Sequence, residues 1–342
     1  MTSRLRAGNS GGNSILSLII PVYNEEESID LFLAKVADAI ARLRYDFEFI
    51  FVNDGSTDAT LQKLLNAHEA DPRIKIINFS RNFGKDTALT AGYRFASGDA
   101  VIPMDVDLQD PPELIRDFTA KWEEGYDVVL GVRSRRHSDT PFKSITAGLF
   151  YKAFNLLSSN RIVPNAGDYR LMNRAAVNAL NQLPERIRFM KGLYAWVGFK
   201  QAIVTYERPP RALGSTKWNV RKLWNFALDG ITGFSTLPLR IWSGFGFAFA
   251  FFGFLYALYT IIRTLIFGVD VPGYPSLMVA ILVIGGMILI SLGIIGEYLG
   301  RIYEEAKERP LYIIRDAIGF GSSQTHGSQR QPAPGDPHAD TQ

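Results

Sequence analysis

The sequence predicts an α/β chain in which a doubly wound, mainly parallel sheet is followed by interfacial helices and two transmembrane helices. Three observations predict it. From residue 15 to about 235, apolar runs alternate with segments of helical periodicity, the pattern of buried strands covered by helices on both faces. Polar segments close the apolar runs, as expected where parallel strands present their carboxyl ends to a ligand. Two uncharged stretches, 241–262 and 276–295, are each about 20 residues long and match the ~30 Å hydrocarbon core as helices.

Residues 1–14 are polar and rich in Gly and Ser and read as a flexible lead; the apolar run after them is too short for a signal peptide and lacks a cleavage-site pattern. The folded domain is expected over 15–216. Its first strand is "LSLIIPV" (16–22). Asn24 is placed to cap a helix with an acidic first turn (Glu25, Glu26, Glu27) and an apolar face of Ile29, Phe32, Leu33, Val36, Ile40 and Leu43. "FEFIFV" (47–52) precedes a helix from about Asp58 to Ala70, and "IKIINF" (74–79) one from about Asp86 to Ser97, stopped by Gly98. "AVIPM" (100–104) leads to a helix from Pro111 to Glu124, with prolines in the first turn, where a missing N–H costs nothing, and Gly125 past the end. The polar segments "YNEE", "NDGSTD", "RNFGKD" and "DVDLQDP" follow these four strands and should line one edge.

Residues 217–236 carry Val220, Leu223, Trp224, Ala227, Leu228, Ile231 and Phe234 at helical spacing beside Arg221 and Lys222, which suits a helix lying in the headgroup layer. The spans are drawn at 237–267 and 276–296, with a periplasmic loop at 268–275, a cytoplasmic juxtamembrane segment at 297–320 and a disordered tail at 321–342. Basic residues precede the first uncharged stretch (Arg208, Arg211, Lys217, Arg221, Lys222, Arg240) and follow the second (Arg301, Lys307, Arg309, Arg315), while 268–275 has none, so both termini are placed in the cytoplasm. A net charge of +3, dispersed, gives no reason to expect nucleic acid. The absence of cysteine excludes disulfides and thiolate chemistry, and the four histidines show no metal-ligand spacing.

Asp105, Asp107 and Asp110 crowd the end of one strand, where mutually repelling carboxylates need a cation. With Gln109 beside them, Asp105 and Asp107 can converge on Mg²⁺ or Mn²⁺, hard ions that bridge carboxylates and a diphosphate. Taken alone the D-x-D pattern is equally well explained as a helix-capping loop ahead of Pro111. Taken with "PVYNEE" (21–26) and "NDGSTD" (53–58) it resembles the A-type, family-two glycosyltransferases, whose domain is Rossmann-like and whose donors are nucleotide sugars. The resemblance implies a nucleotide-sugar site of Pro21, Tyr23, Glu25, Asp54, Lys85 and Asp105, with Asp54 accepting from the base and Asp105, Asp107 and Gln109 holding the metal.

"GDYRLMNR" (167–174), "FMKGLYAWVGF" (189–199), "RPPRALGSTKW" (208–218) and "GEYLGRIYEEAKERPLYII" (296–314) are similar to the polyprenyl-phosphate glycosyltransferases, and the two-span arrangement resembles the bacterial undecaprenyl-phosphate glucosyltransferases. This implies inverting transfer from UDP-glucose to undecaprenyl phosphate at the bacterial inner membrane, by a homo-oligomer, with Asp168 as general base. The Q-x-x-R-W motif of processive synthases is absent, so one sugar moves per encounter. Mannosyl or aminoarabinosyl transfer is the nearest alternative; a non-catalytic nucleotide-binding scaffold is the rival from another class. A lipid phosphate, with a second pKa near ~6, needs orientation and charge compensation more than a base. Arg133, a catalytic candidate, Arg135 and Arg170, together with Arg211 and Lys217 ahead of the membrane segment, are the residues to grip it. Asp168 has an alternative role in holding Arg170 or orienting the acceptor.

Overall fold

The computed structural model describes residues 13–134, 162–186, 188–207, 237–267 and 273–321. The chain divides into two compact units, one of residues 1–148, 162–218 and 310–342, the other of 149–161 and 219–309.

The first unit contains one eight-stranded sheet. Its strands are β1 (Ile15–Val22), β2 (Asp46–Asn53), β3 (Ile74–Phe79), β4 (Ala100–Pro103), β5 (Val128–Arg133), β6 (Ala166–Asn173), β7 (Gln201–Tyr206) and β8 (Ile314–Ile318), in the order β7-β5-β6-β4-β1-β2-β3-β8. β4, β1, β2 and β3 are mutually parallel, as are β5 and β7, so the expected mainly parallel α/β sheet is present. β6 runs antiparallel between β4 and β5. The central strands read as unbroken apolar runs because both faces are covered: Leu18, Ile19, Ile20, Ile50, Phe51 and Val52 are completely buried.

The helices of this unit are α1 (Ile29–Ile40), α2 (Thr60–Ala70), α3 (Lys85–Phe95), α4 (Leu114–Glu123), α5 (Arg174–Asn181) and α6 (Met190–Trp196). α1 buries Ile29, Phe32, Val36 and Ile40, the spacing that faces one side of a helix. Its start differs from the expectation. Asn24 lies in the left-handed region, φ 52°, and does not cap α1. Its backbone N–H donates to Ser56 Oγ at 2.9 Å, and its Oδ1 accepts from the Thr57 N–H at 2.8 Å. Glu26 likewise accepts from the Ala59 N–H ahead of α2. Asn tolerates left-handed backbone, and these bonds satisfy otherwise orphaned amides of the second loop, so the acidic turn ties two loops together.

The segment 297–320 also differs from the single juxtamembrane stretch expected. Helix runs to Ala306, and β8 then pairs antiparallel with β3. Tyr312 stacks on Phe79 at 5.1 Å, the Ser80 N–H donates to Ile313 O, and Asp316 accepts from Asn78, which accepts from Asn53. An exposed β3 edge is a template for another strand, and five residues that follow the helical hairpin in sequence fill it.

In the second unit, α7 (Leu237–Phe267) and α8 (Tyr274–Ala306) form a hairpin in which Trp242 Nε1 donates to Ser291 Oγ. Large apolar side chains such as Phe247, Phe252 and Leu289 are exposed. Among the described residues, Val279–Ala306 is long and apolar enough to cross a membrane, and the apolar stretch of α7 is the shorter Trp242–Tyr256. The amphipathic segment expected at 217–236 lies outside the described residues.

Candidate active site

The carboxyl ends of β1 to β5 share one edge of the sheet, and because β6 is antiparallel its first residues open onto the same edge. That topology carries Asp168 to loops far from it in sequence. The junction is Lys85, the first residue of α3. Its Nζ lies 2.6 Å from Asp105 Oδ1 and 3.2 Å from Asp168 Oδ2. Burial would lower the pKa of this ammonium; the Asp105, Asp168 and Asp110 charges and the Asp105 hydrogen bond more than reverse that, so it stands above the ordinary lysine value. Asp168 is the complement: burial pushes its carboxyl up, but Lys85, Lys191 and Arg170 outweigh burial and hold it below the ordinary aspartate range.

Asp54 is buried at the end of β2. Its two carboxylate oxygens accept from the Phe83 and Gly84 N–H groups at 2.6 and 2.9 Å. Burial is the dominant influence and raises its pKa despite those bonds and the Arg81 charge. The next residue, Gly55, has φ 69° and lets this loop meet the Arg81–Asn82 backbone so closely that a Cβ would sit 2.4 Å from a carbonyl carbon. Pro21 is the last residue but one of β1, beside this loop; Tyr23 follows the strand, partly exposed, and Glu25 accepts from Ser28 Oγ while its N–H donates to Thr60 Oγ1.

Asp107 and Gln109 form a tight turn, with Asp107 Oδ1 accepting from the Gln109 N–H across Leu108, whose φ is 57°. Among the described residues no three His, Cys, Asp or Glu side chains gather as a metal cage. Two carboxylates and an amide oxygen at the strand end nevertheless suit a hard divalent ion that takes its other ligands from phosphate and water. The donor set therefore fits an ion shared with a diphosphate, though not one held by protein alone.

Arg133 ends β5 with its guanidinium at Tyr206 and Asp110. Asp110 is buried, its carboxyl pushed up to about 6 by burial and the Asp105 charge against the Tyr206 hydroxyl, Arg133 and Lys85. Arg170 is placed differently from the other basic residues. It is buried, stacked 3.7 Å from the Tyr194 ring centroid, and its Nη2 donates to Gly167 O. Residues 168 and 170 share a face of β6 by strand alternation, which sets the buried Arg170 beside Asp168. Arg135, Arg211 and Lys217 lie outside the described residues.

Sequence reasoning missed Asp86, Lys191, Tyr194 and Tyr206. Asp86 had a signal, sitting next to Lys85 in "RNFGKD"; the others come from segments whose proximity only the sheet order creates. Burial, then the Asp168 charge, raise Asp86 to about 7, partly offset by Lys85, the Met190 N–H and Lys191. The folded state thus binds a proton more tightly than the unfolded chain, and stability falls as pH rises from the ordinary aspartate value to about 7. Asp86→Asn, which keeps an acceptor for the Met190 N–H, is expected to exceed the wild type in stability by on the order of 2 kcal/mol at pH 8. Denaturation midpoints at pH 4, 6 and 8 check this; a gap that does not widen with pH contradicts it.

Two family models match the chain, glycosyl transferase family 2 over residues 17–180 and the GtrB C-terminal hairpin over 237–302. It is 54% identical over 305 residues to glycosyltransferase sll0501 of Synechocystis sp., covering 89% of this chain and 96% of that one. It is 50% identical to the bactoprenol glucosyl transferase of Shigella phage SfV (88% of this chain, 98% of the relative) and 50% identical to the prophage bactoprenol glucosyl transferase homolog of Escherichia coli K12, with the same coverage. The chain matches these relatives over nearly their whole length, and it belongs to glycosyl transferase family 2, in the group that carries the GtrB C-terminal hairpin.

Proposed function

We propose that this glycosyltransferase moves one glucosyl residue from UDP-glucose to undecaprenyl phosphate, with inversion at the anomeric carbon. The observation that carries this reading is the meeting of Lys85, Asp105 and Asp168 at the sheet edge with Arg133 close by, in a chain about half identical to bactoprenol glucosyl transferases. Pro21, Tyr23, Glu25 and Asp54 form the nucleotide end of the pocket. The phosphate oxygen of the acceptor bonds to the anomeric carbon as the bond to the UDP oxygen breaks, and UDP leaves with the electron pair. The acceptor is already dianionic, so no proton has to move.

Asp168, held ionised by Lys85, Lys191 and Arg170, is a weak base; we assign it to fixing Lys85 and Arg170 and orienting the acceptor. Lys85 places positive charge between the strand-end carboxylates and the departing diphosphate, and Arg133 compensates the acceptor phosphate. A divalent cation, Mg²⁺ or Mn²⁺, held through Asp105, Asp107 and Gln109, would supply further stabilisation of the leaving diphosphate. Residues 15–216 are assigned to the cytoplasm and 237–267 and 276–296 to membrane spans at the bacterial inner membrane, a reading supported by the basic flanks and the loop without Lys or Arg.

The test is incubation of the purified, detergent-solubilised protein with undecaprenyl phosphate and, separately, UDP-glucose, GDP-mannose and an aminoarabinose nucleotide. Lipid glucosyl phosphate formed in step with UDP release is the expected result. Turnover confined to one of the other donors would overturn the choice of sugar.

A further inference from the structure

Arg133 leaves the end of β5 beside a buried pair that the proposed reaction does not use. Tyr206, its register partner on β7, donates its hydroxyl hydrogen to Asp110 Oδ1 at 2.7 Å. The Tyr206 hydroxyl oxygen in turn accepts from Arg133 Nε at 3.3 Å, and Arg133 Nη2 stands 3.9 Å from Asp110 Oδ1. The Tyr206 ring cannot swing away. It packs edge-on to Tyr169 at 6.1 Å, Tyr169 is itself bonded to Pro111 O, and a Cβ on Gly131 would come within 3.2 Å of the Tyr206 ring. One buried hydroxyl thereby links β7, the loop after β4 and the Arg133 guanidinium.

The other end of the guanidinium lies against the start of β6. A Cβ on Gly167 would be 3.2 Å from Arg133 Nη2, closer than nearly all carbon contacts, so the glycine leaves room for that nitrogen next to Asp168. The Arg133 side chain is 21% exposed, and among the described residues neither Nη group has a hydrogen-bond acceptor. A guanidinium held by its Nε edge in this way presents its Nη edge outward, the orientation in which two parallel N–H groups meet two oxygens of one phosphate.

We propose that Tyr206 is a positioning residue for the acceptor phosphate: its hydroxyl, braced on Asp110, holds Arg133 by Nε and turns the Nη edge over Gly167 toward the incoming anion. This rests on the assignment of Arg133 to the acceptor. Without the hydroxyl the arginine keeps its charge and loses its plane, so the loss falls on capture of the lipid phosphate and leaves nucleotide binding alone.

Tyr206→Phe keeps the ring packing and removes the oxygen. Initial rates at varied undecaprenyl phosphate and saturating UDP-glucose should show KM for the lipid rising about tenfold, the scale of one lost hydrogen bond to a charged group, with UDP affinity by titration unchanged. In an Arg133→Ala background the same change should add little, because the side chain it orients is gone. An equal effect in both backgrounds, an effect on UDP affinity, or no effect on the lipid KM overturns the role of Tyr206. Gly167→Ala, which crowds Nη2 from the opposite side, should raise the same KM and serves if Tyr206→Phe does not fold; an unchanged KM there also counts against the proposal. If Arg133→Ala itself leaves lipid dependence intact, the placement of the acceptor at Arg133 fails along with it, whereas a strong Arg133→Ala effect beside a silent Tyr206→Phe removes only Tyr206.

Discussion

Asp107→Ala is expected to lower turnover by about 10³-fold, the equivalent of about 4 kcal/mol in the transition state, while the protein remains folded. Asp107 is a sharper probe than Asp105. Asp105 is the main partner of Lys85, so removing it leaves an ammonium beside Asp168 and Asp110 with its ion pair broken, and a lost rate would have two causes. Asp107 accepts from the Gln109 N–H in the turn, and alanine there leaves the Lys85–Asp105 pair in place. The rate should fall equally when a chelator is added to the wild type and recover on addition of Mg²⁺ or Mn²⁺. Asp107→Ala with full activity in excess chelator would remove the metal assignment of Asp105, Asp107 and Gln109.

The second large effect is on stability and lies at the opposite end of the sheet. Glu48 is 5% exposed and accepts from Ser17 Oγ, from Ser97 N–H and Oγ, from the Gly98 N–H and from Lys75 Nζ at 2.6 Å. These bonds join β1, β2, β3 and the turn before β4. Burial alone would raise the Glu48 pKa; the Lys75, Ser17 and Ser97 bonds outweigh it and hold the carboxyl below its ordinary value. Glu48→Ala leaves Lys75 and several donors without their acceptor, a loss of about 3 to 5 kcal/mol for a broken buried pair. A depressed carboxyl contributes stability above its unfolded pKa and loses it as pH falls through the folded value. The deficit of the variant in chemical denaturation should therefore be full at pH 7 and shrink below about pH 4. A deficit under 1 kcal/mol at pH 7 would show that Ser17, Ser97 and Lys75 find replacement partners.

Much of the sheet was legible because its central strands are covered on both faces, and burial on two faces writes an apolar run that needs no knowledge of neighbours. Helix ends were legible to within a few residues for the same local reason: glycine and proline act on their own backbone. Asn24 was misplaced because an asparagine before an acidic stretch satisfies the rules for a cap, while its actual partners, Ser56 and Thr57, belong to a loop brought alongside by pairing of β1 with β2. β8 left no trace because five residues of ordinary composition become a strand only where β3 offers an open edge.

By itself, then, the sequence determined the alternating α/β domain, the apolar hairpin and the strand-end carboxylates of Asp105 and Asp107, each a property of a short stretch of chain. Tertiary structure alone decided that β6 runs backward between β4 and β5, which sets Asp168 against Lys85 with the buried Arg170 beside it. It also decided that Tyr206 stands behind Arg133. Strand order and direction are set by how whole elements bury their faces against one another, and that sum over distant residues has no signature in any one segment.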